Sequence, residues 1–430
     1  MRAYHDYTPD QAFLLPPSLH DLIAPDDPVR MVVSTLAGLD FGAFDRVYAA
    51  ERGRPPFHPR MMAGLFLYGV MRGLYSSRKL AAACQRDVAF IYVAGRATPD
   101  FHTVAEFRQR FREELKGLFL QVLGLCREAG LVRLGHVSLD GTKLRANASK
   151  HKAMSYARML TKERALEEEV RGWLREGERQ DEEEDARYGP DDDGFSLPPE
   201  LRDPAVRLQK IKEAKARLEQ QAREKAEAEG KGPAEAVVPE KAQSNFTDPE
   251  SRIMHTPDGF QQCYNAQAVV DAESQVIVAQ EVSAAPTDVQ RLVPMLAQLE
   301  ANDCLPQELS ADAGYASEAN FAACTKANID AFIALRRYRH DEPPDAGPAP
   351  PRAAKGKPQR QAMRKKLATS HGKARYKLRK QTVEPVFGQV KAARGLRQFL
   401  CRGLDAVAVE WSLACTAHNL LKLHGATALA

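Results

Sequence analysis

The sequence contains no apolar run approaching the roughly 20 residues needed to span a bilayer. Its seven cysteines (Cys84, Cys126, Cys263, Cys304, Cys324, Cys401 and Cys415) are odd in number, and no two stand at C-x-x-C spacing. That pattern argues against a disulfide framework and a zinc knuckle, and reduced, buried thiols are expected instead. The eleven histidines include no H-x-x-x-H pair, so a histidine-based metal site has little support. His136, four residues before Asp140, reads as an ordinary strand residue. Gly and Pro, at 27 each among 430 residues, exclude a collagen-like or wholly disordered chain. The first thirty residues lack a basic stretch followed by an apolar segment and a cleavage site, so no signal peptide is expected.

What is present is enough apolar residue, 44%, to build two or three cored domains. The net charge of +4 conceals a strong asymmetry. Between Arg352 and Arg402 stand sixteen Lys or Arg and a single acid, Glu384, while the remainder of the chain is net acidic. A basic block of this density suits a polyanion such as nucleic acid. Val383, Val386, Phe387, Val390, Leu396 and Phe399 recur through it at core spacing, unlike a solvated tail.

Residues 1–130 read as a separate helical domain behind a Pro- and Asp-punctuated arm. A helical pattern runs from Pro59 toward Leu80, Ser76–Ser77 caps the next helix, and Thr103 with Glu106 caps another. From Gly135 the period becomes that of strands. HVSLDGTKLRA reads as the first strand, and YNAQAVVDAESQVIVAQEVS as a hairpin. A helix from Thr287, a strand ending in ELSADAG, a helix SEANFAACTKAN and a strand AFIAL follow. A charged helical hairpin at about 150–245, broken by the acidic loop RQDEEEDARYGPDDDG, reads as an insertion. A Pro/Lys-rich linker is expected at about 340–360, followed by helices with a break before VEPVFGQVK. Without the insertion the order is βββαβαβα, so residues 131–430 are expected to form a mixed sheet flanked by helices, an α+β or α/β architecture.

Three carboxylates stand at informative places: Asp140 in VSLDGTK, Asp312 in LSADAGY and Glu384 in QTVEPVFGQVK. Carboxylates at strand ends face a cleft. Hard divalent cations take oxygen ligands and leave room for phosphate oxygens, and three acids from distant elements can build a two-metal site for phosphoryl transfer. Each also has a purely structural reading, as a turn residue before glycine (Asp140, Asp312) or an acid at a helix start (Glu384). Pro385 predicts that a helix begins or kinks at Glu384, with Lys391 two turns on along the same face.

These blocks, in this order, resemble the DDE-type transposases of bacterial insertion sequences. GRPPFHPRMMAGLFLYGVMRGLYSSRKLAAACQRDVAFIYVAG and PDFHTVAEFRQRF resemble their helical N-terminal DNA-binding domain. SLDGTKLRANAS, SADAGY and RKQTVEPVFGQVK resemble the blocks around the three acids. The resemblance implies a ribonuclease-H-like catalytic domain and Asp140, Asp312 and Glu384 as ligands of two Mg²⁺ or Mn²⁺ ions. It further implies DNA contacts from Tyr376, Arg379 and Lys391, although Arg379 lies one residue further from Glu384 than the commonest pattern, where Lys380 stands. Arg394 joins them within the basic block, and Arg78 and Lys79 are candidates for base reading. The implied partners are double-stranded DNA (terminal inverted repeats and target) and a second copy of the chain, in the bacterial cytoplasm at the nucleoid. A DNA-binding relic without activity is the second reading. A haloacid-dehalogenase-type phosphatase, suggested by LDGT, lacks its nucleophile, because Ser138 stands where the aspartate would be.

Overall fold

The computed structural model describes residues 18–49, 55–149, 152–188, 199–228, 230–232, 235–336 and 358–427. Its first half is helical: α1 (Pro28–Gly38), α2 (Gly42–Ala49), α3 (Pro59–Met71), α4 (Ser77–Arg86), α5 (Val88–Val93), α6 (Phe101–Arg110) and α7 (Arg112–Glu128). The α3 segment is apolar on nearly every side and is correspondingly enclosed, from Met62 to Val70. Thr103 does not cap α6 as expected. Asp100 does, its carboxylate accepting the Thr103 amide at 2.9 Å, because it is the side chain at the boundary where amides are unpaired. The arm before Ser18 lies outside the described residues.

The second half is built on β1 (His136–Arg145). Short strands β2 (Ala153–Ser155) and β3 (Gln243–Asn245) pair at the base of a hairpin of α8 (Tyr156–Tyr188) and α9 (Pro199–Ala228). Much of the stretch read as an acidic loop is helical, since α8 continues through RQDEEEDARY to Tyr188, and residues 189–198 lie outside the described residues. The hairpin has its own small core of Met159, Ile211, Ala214 and Leu218, tied by Lys215–Glu163 at 2.6 Å and Lys212–Glu167 at 2.8 Å.

Then come β4 (Arg252–Thr256), β5 (Gly259–Asp271), β6 (Ile277–Ser283), α10 (Leu292–Ala301), β7 (Glu308–Ala311), α11 (Glu318–Lys326) and β8 (Asp330–Ile333). The sheet runs β5-β1-β7-β8, with β4 and β6 both paired to β5. β1, β7 and β8 are parallel, and β5 is antiparallel to β1, β4 and β6. A mixed sheet with β1 at its centre results. β4 was not anticipated, because its residues RIMHT carry a weak alternation. Helix α10 starts at Leu292, five residues later than the expected Thr287.

The chain ends in α12 (Pro358–Ala368), α13 (Ser370–Gly388) and α14 (Leu404–Thr427). Residues 358–360, assigned to the linker, open α12, and residues 337–357 lie outside the described residues. The helical break falls at Thr369, which caps α13, and not before Val383. Among the described residues no helix is long and apolar enough to cross a membrane.

Helix α14 ties the two halves together. It packs on α3, α7 and β6, so one buried cluster runs from Ile23 to Leu420. Asn419 holds the sheet edge like a strand neighbour: its Oδ1 accepts the Ile277 amide and its Nδ2 donates to the Ile277 carbonyl, both at 2.8 Å. Trp411, fully buried, donates to the Gln267 carbonyl at 3.2 Å. His418 donates through Nε2 to the Gln275 carbonyl at 2.8 Å, and its Nδ1 faces the Arg394 guanidinium at 3.2 Å. Burial first, then the charges of Arg394 and Lys422, push this ring down to about 3.

An unfolded-state histidine protonates near pH 6.5, so the unfolded chain binds the extra proton between that pH and about 3. Stability is therefore expected to fall as pH drops through this window. His418→Gln should remove roughly 2–3 kcal/mol of the loss between pH 6.5 and 4.5, measured as denaturant midpoints at the two pH values.

Candidate active site

Leu139 of β1 pairs with Ala311 of β7, so Asp140 and Asp312 follow as neighbours on adjacent parallel strands. At Asp312 the chain turns into Ala313–Tyr315, and the carboxylate accepts the Gly314 amide at 2.7 Å. Asp140 accepts the Gly141 amide at 2.8 Å. The third acid arrives on α13, which packs against β1 and β7. Arg379 on this helix makes the junction: one guanidinium nitrogen pairs with Asp140 at 2.5 Å, and the other stands 3.4 Å from Glu384. The two acids therefore meet at one cation although 244 positions apart in a chain of this length.

Asp140 is pushed up to about 7 by burial, drawn back by Arg379 and raised again by the charges of Asp312 and Asp288. Such crowding of carboxylates is the electrostatic condition a cation relieves, and the donors are hard oxygens of the kind magnesium and manganese take. Among the described residues no three His, Cys, Asp or Glu side chains close around one ion-sized point. Arg379 stands between Asp140 and Glu384 instead.

Glu384 does not begin a helix. Helix α13 continues through it with Pro385 inside, and a single wide turn follows at Gln389–Ala393. Proline lacks the amide that would bond four residues back, at Gln381. Gln275 serves that carbonyl from outside, donating Nε2 at 3.2 Å. The proline is thus accommodated by a partner that no local pattern reveals.

Asp288 belongs to the same site. Its Oδ1 accepts from Lys143 at 3.0 Å, Asn265 at 2.6 Å and Gln267 at 3.0 Å. Gln267 in turn accepts from the Tyr315 hydroxyl. Asn265 and Gln267 stand opposite Lys143 and Gly141 in the β1–β5 ladder, so this polar floor lies beneath the Asp140–Gly141 corner. Two polar side chains alternating within the otherwise apolar YNAQAVVD were the available signal.

The remaining candidates divide. Lys391 donates to Thr142 Oγ1 on β1, close enough for its charge to act on Asp140, and burial pushes its ammonium down. Tyr376 lies half-buried beside Arg379, its ring 6.0 Å from the guanidinium. Arg379 faces the acids, whereas its neighbour Lys380 points to solvent. Arg394 is not a surface residue: it is 6% exposed, hydrogen-bonded to His418. The Gly395 turn and the apolar sequence after it carry its side chain into the core, so it is withdrawn as a DNA contact. Arg78 and Lys79 are exposed on α4, with Arg78 over the Phe101 ring at 4.7 Å.

Residues 237–420 match the family model described as a transposase DDE domain, and residues 17–110 match one described as a transposase domain (DUF772). Asp312 and Glu384 fall inside the first segment. Asp140 lies between the two and joins the matched part through β1's pairing with β5 and β7. No curated protein and no solved structure matches the chain.

Gly141 marks how closely the polar floor approaches the strand. A Cβ there would stand 2.4 Å from Gln267 Nε2 and 2.8 Å from Asp288 Oδ1. Gly141→Ala is expected to destabilise by about 2–3 kcal/mol, because relief must break hydrogen bonds to Asp288. Gly124→Ala, on α7 with open space around it, is expected to stabilise by about 0.5–1 kcal/mol. Urea midpoints of the two variants check the contrast.

Proposed function

For a chain that belongs to the DDE-type transposases of insertion sequences, we propose the following activity. It binds the terminal inverted repeats of its element, cleaves at the element ends and joins the freed 3′-hydroxyl to target DNA. The observation that carries this reading is the Arg379 bridge, which draws Asp140 and Glu384 to one guanidinium beside Asp312.

Asp140, Asp312 and Glu384 would hold the Mg²⁺ or Mn²⁺ ions. Held there, such ions would supply Lewis-acid stabilisation of charge on the attacking and leaving oxygens. The protein's own residues do the rest. Arg379 keeps the acids gathered and, released from them, offers a planar two-pronged donor set to a phosphate. Lys391, held over Thr142, supplies a positive charge beside the scissile group. Tyr376 borders the same side of α13. The exposed Arg78 and Lys79 on α4 suit a helix that reads a groove, with the first 130 residues as the DNA-binding domain. Pairing two element ends calls for a homodimer on double-stranded DNA.

Linear DNA carrying the repeats that flank the reading frame, incubated with the full chain and Mg²⁺, tests this. Asp140→Asn, Asp312→Asn and Glu384→Gln are each expected to lower cleavage by on the order of 100-fold or more. DNA binding, followed by mobility shift, should be kept. Cleavage that survives the Asp312 change at wild-type rate would sink the assignment.

A further inference from the structure

A second basic feature lies away from the acids, where the N-terminal helices meet the end of β1. A cleft of about 380 Å³ opens between α6, α7 and the loop before α14, lined by Arg108, Arg112, Asn147, Leu400 and Arg402 among others. Each of its three guanidiniums has a partner among the described residues, Arg108 also lying over the Phe66 ring at 5.9 Å. Arg108 donates to the Tyr75 carbonyl at 3.3 Å, and Arg402 Nε donates to the Asn147 carbonyl at 3.1 Å. Arg112 pairs with Asp405 at 2.7 Å, while its buried Nε has no partner.

No carboxylate lines the cleft. Asp405, alongside, is shared between Arg112 and Lys116. Both oxygens of the buried Glu410 accept from the Leu400 amide, and one also accepts from Cys401. Arg112 is thus paired with Asp405 and Arg108 lies within electrostatic reach of Glu410, which leaves Arg402 as the cleft guanidinium that meets no carboxylate among the described residues.

The cleft is also connected to the acids. Loop residues 397–399 run beside the end of β1, with the Arg145 amide donating to the Arg397 carbonyl at 3.3 Å and the Phe399 amide to the Arg145 carbonyl at 2.9 Å. Arg145 and Arg397 are both exposed. Lys391, Arg145, Arg397 and Arg402 therefore follow one another from the acids to the cleft. Asn147 lies seven residues past Asp140, about 23 Å at ~3.3 Å per residue. That is about seven base steps of DNA at ~3.4 Å each.

We propose that this cleft binds a backbone phosphate of the same DNA strand segment whose scissile phosphodiester lies at Asp140, roughly seven nucleotides away. The proposal rests on the transposase reading and adds to it a contact away from the three acids. It places the phosphate at the seam between the N-terminal helices and the sheet, so one strand would be gripped by both halves of the chain.

Fluorescence anisotropy of a 30-base-pair duplex with the full chain, titrated over a range of salt, tests the cleft. Arg402→Gln should weaken binding about 5- to 10-fold and lower the log–log salt slope by roughly 0.9, the loss of one phosphate contact. Arg402→Glu should weaken it further. Arg133→Gln, an exposed residue at the opposite end of β1, should change neither quantity. Wild-type protein supplies a second measurement that no folding defect can confound. DNA should protect Arg402 and Arg112 from phenylglyoxal, mapped by peptide mass, and inorganic phosphate at equal ionic strength should not. Wild-type binding with unchanged slopes in both Arg402 variants, or equal protection by free phosphate, overturns the cleft and leaves the transposase reading standing. A wild-type chain that binds no DNA overturns both.

Discussion

Carboxylates repel one another, and the centre of this protein is a place where they are made to crowd. Asp140, Asp312 and Asp288 lie within electrostatic reach at the end of the sheet, and burial first, then the charges of the other two, hold the proton of Asp140 to about 7. A cation makes such a gathering of charge tolerable at neutral pH. Arg379 serves here, reaching Asp140 and Glu384 with two nitrogens of one planar group. The position of α13 follows from that requirement as much as from packing. The helix must deliver both an arginine and a glutamate to strand ends built by residues far earlier in the chain. Its interior proline is compatible with this because Gln275 takes the carbonyl that Pro385 leaves unpaired.

The sheet gives the crowding its geometry. β1 is flanked on one side by parallel β7, which sets Asp312 beside Asp140, and on the other by antiparallel β5, which sets Asn265 and Gln267 under Gly141. Asp288 is paired with Lys143 and accepts from those two amides, so it stands as a fixed polar wall. Gly141 admits the wall to within contact of the backbone, a reason for glycine after the first acid that turn chemistry alone does not supply. Helix α14 then couples this arrangement to the N-terminal helices through a continuous core, with Asn419 and His418 fastening it to the sheet by neutral hydrogen bonds.

Local pattern carried much of this into the sequence. Strand alternation located β1, β5 and β6, helical spacing located α3, and the isolated acid in a basic block pointed to Glu384. What the sequence could not disclose were interactions whose partners lie far away. Thr103 looked like a cap because Ser and Thr caps are common, and the competing Asp100 is distinguished only by where the helix starts. Pro385 looked like a helix start because its remedy, Gln275, is more than a hundred residues upstream. Arg394 looked like its basic neighbours, and only the fold shows it turned inward onto His418. Asp288 was unremarkable until Gly141 and β5 were brought over it.

The long hairpin of α8 and α9 shows why such a site depends on the sheet and not on chain proximity. It interrupts the chain directly after β1, with β2 and β3 closing its base and a small core of its own. Because it is self-contained, its length imposes little on the sheet: β1 can still pair with β5 across an excursion of more than a hundred residues. Loop-closure entropy grows only logarithmically with length, and the paired base confines it further. Asp140 is consequently free to lie outside the matched segments in sequence while remaining, through nine paired positions with β5 and an ion pair to Arg379, an integral part of the same carboxylate cluster.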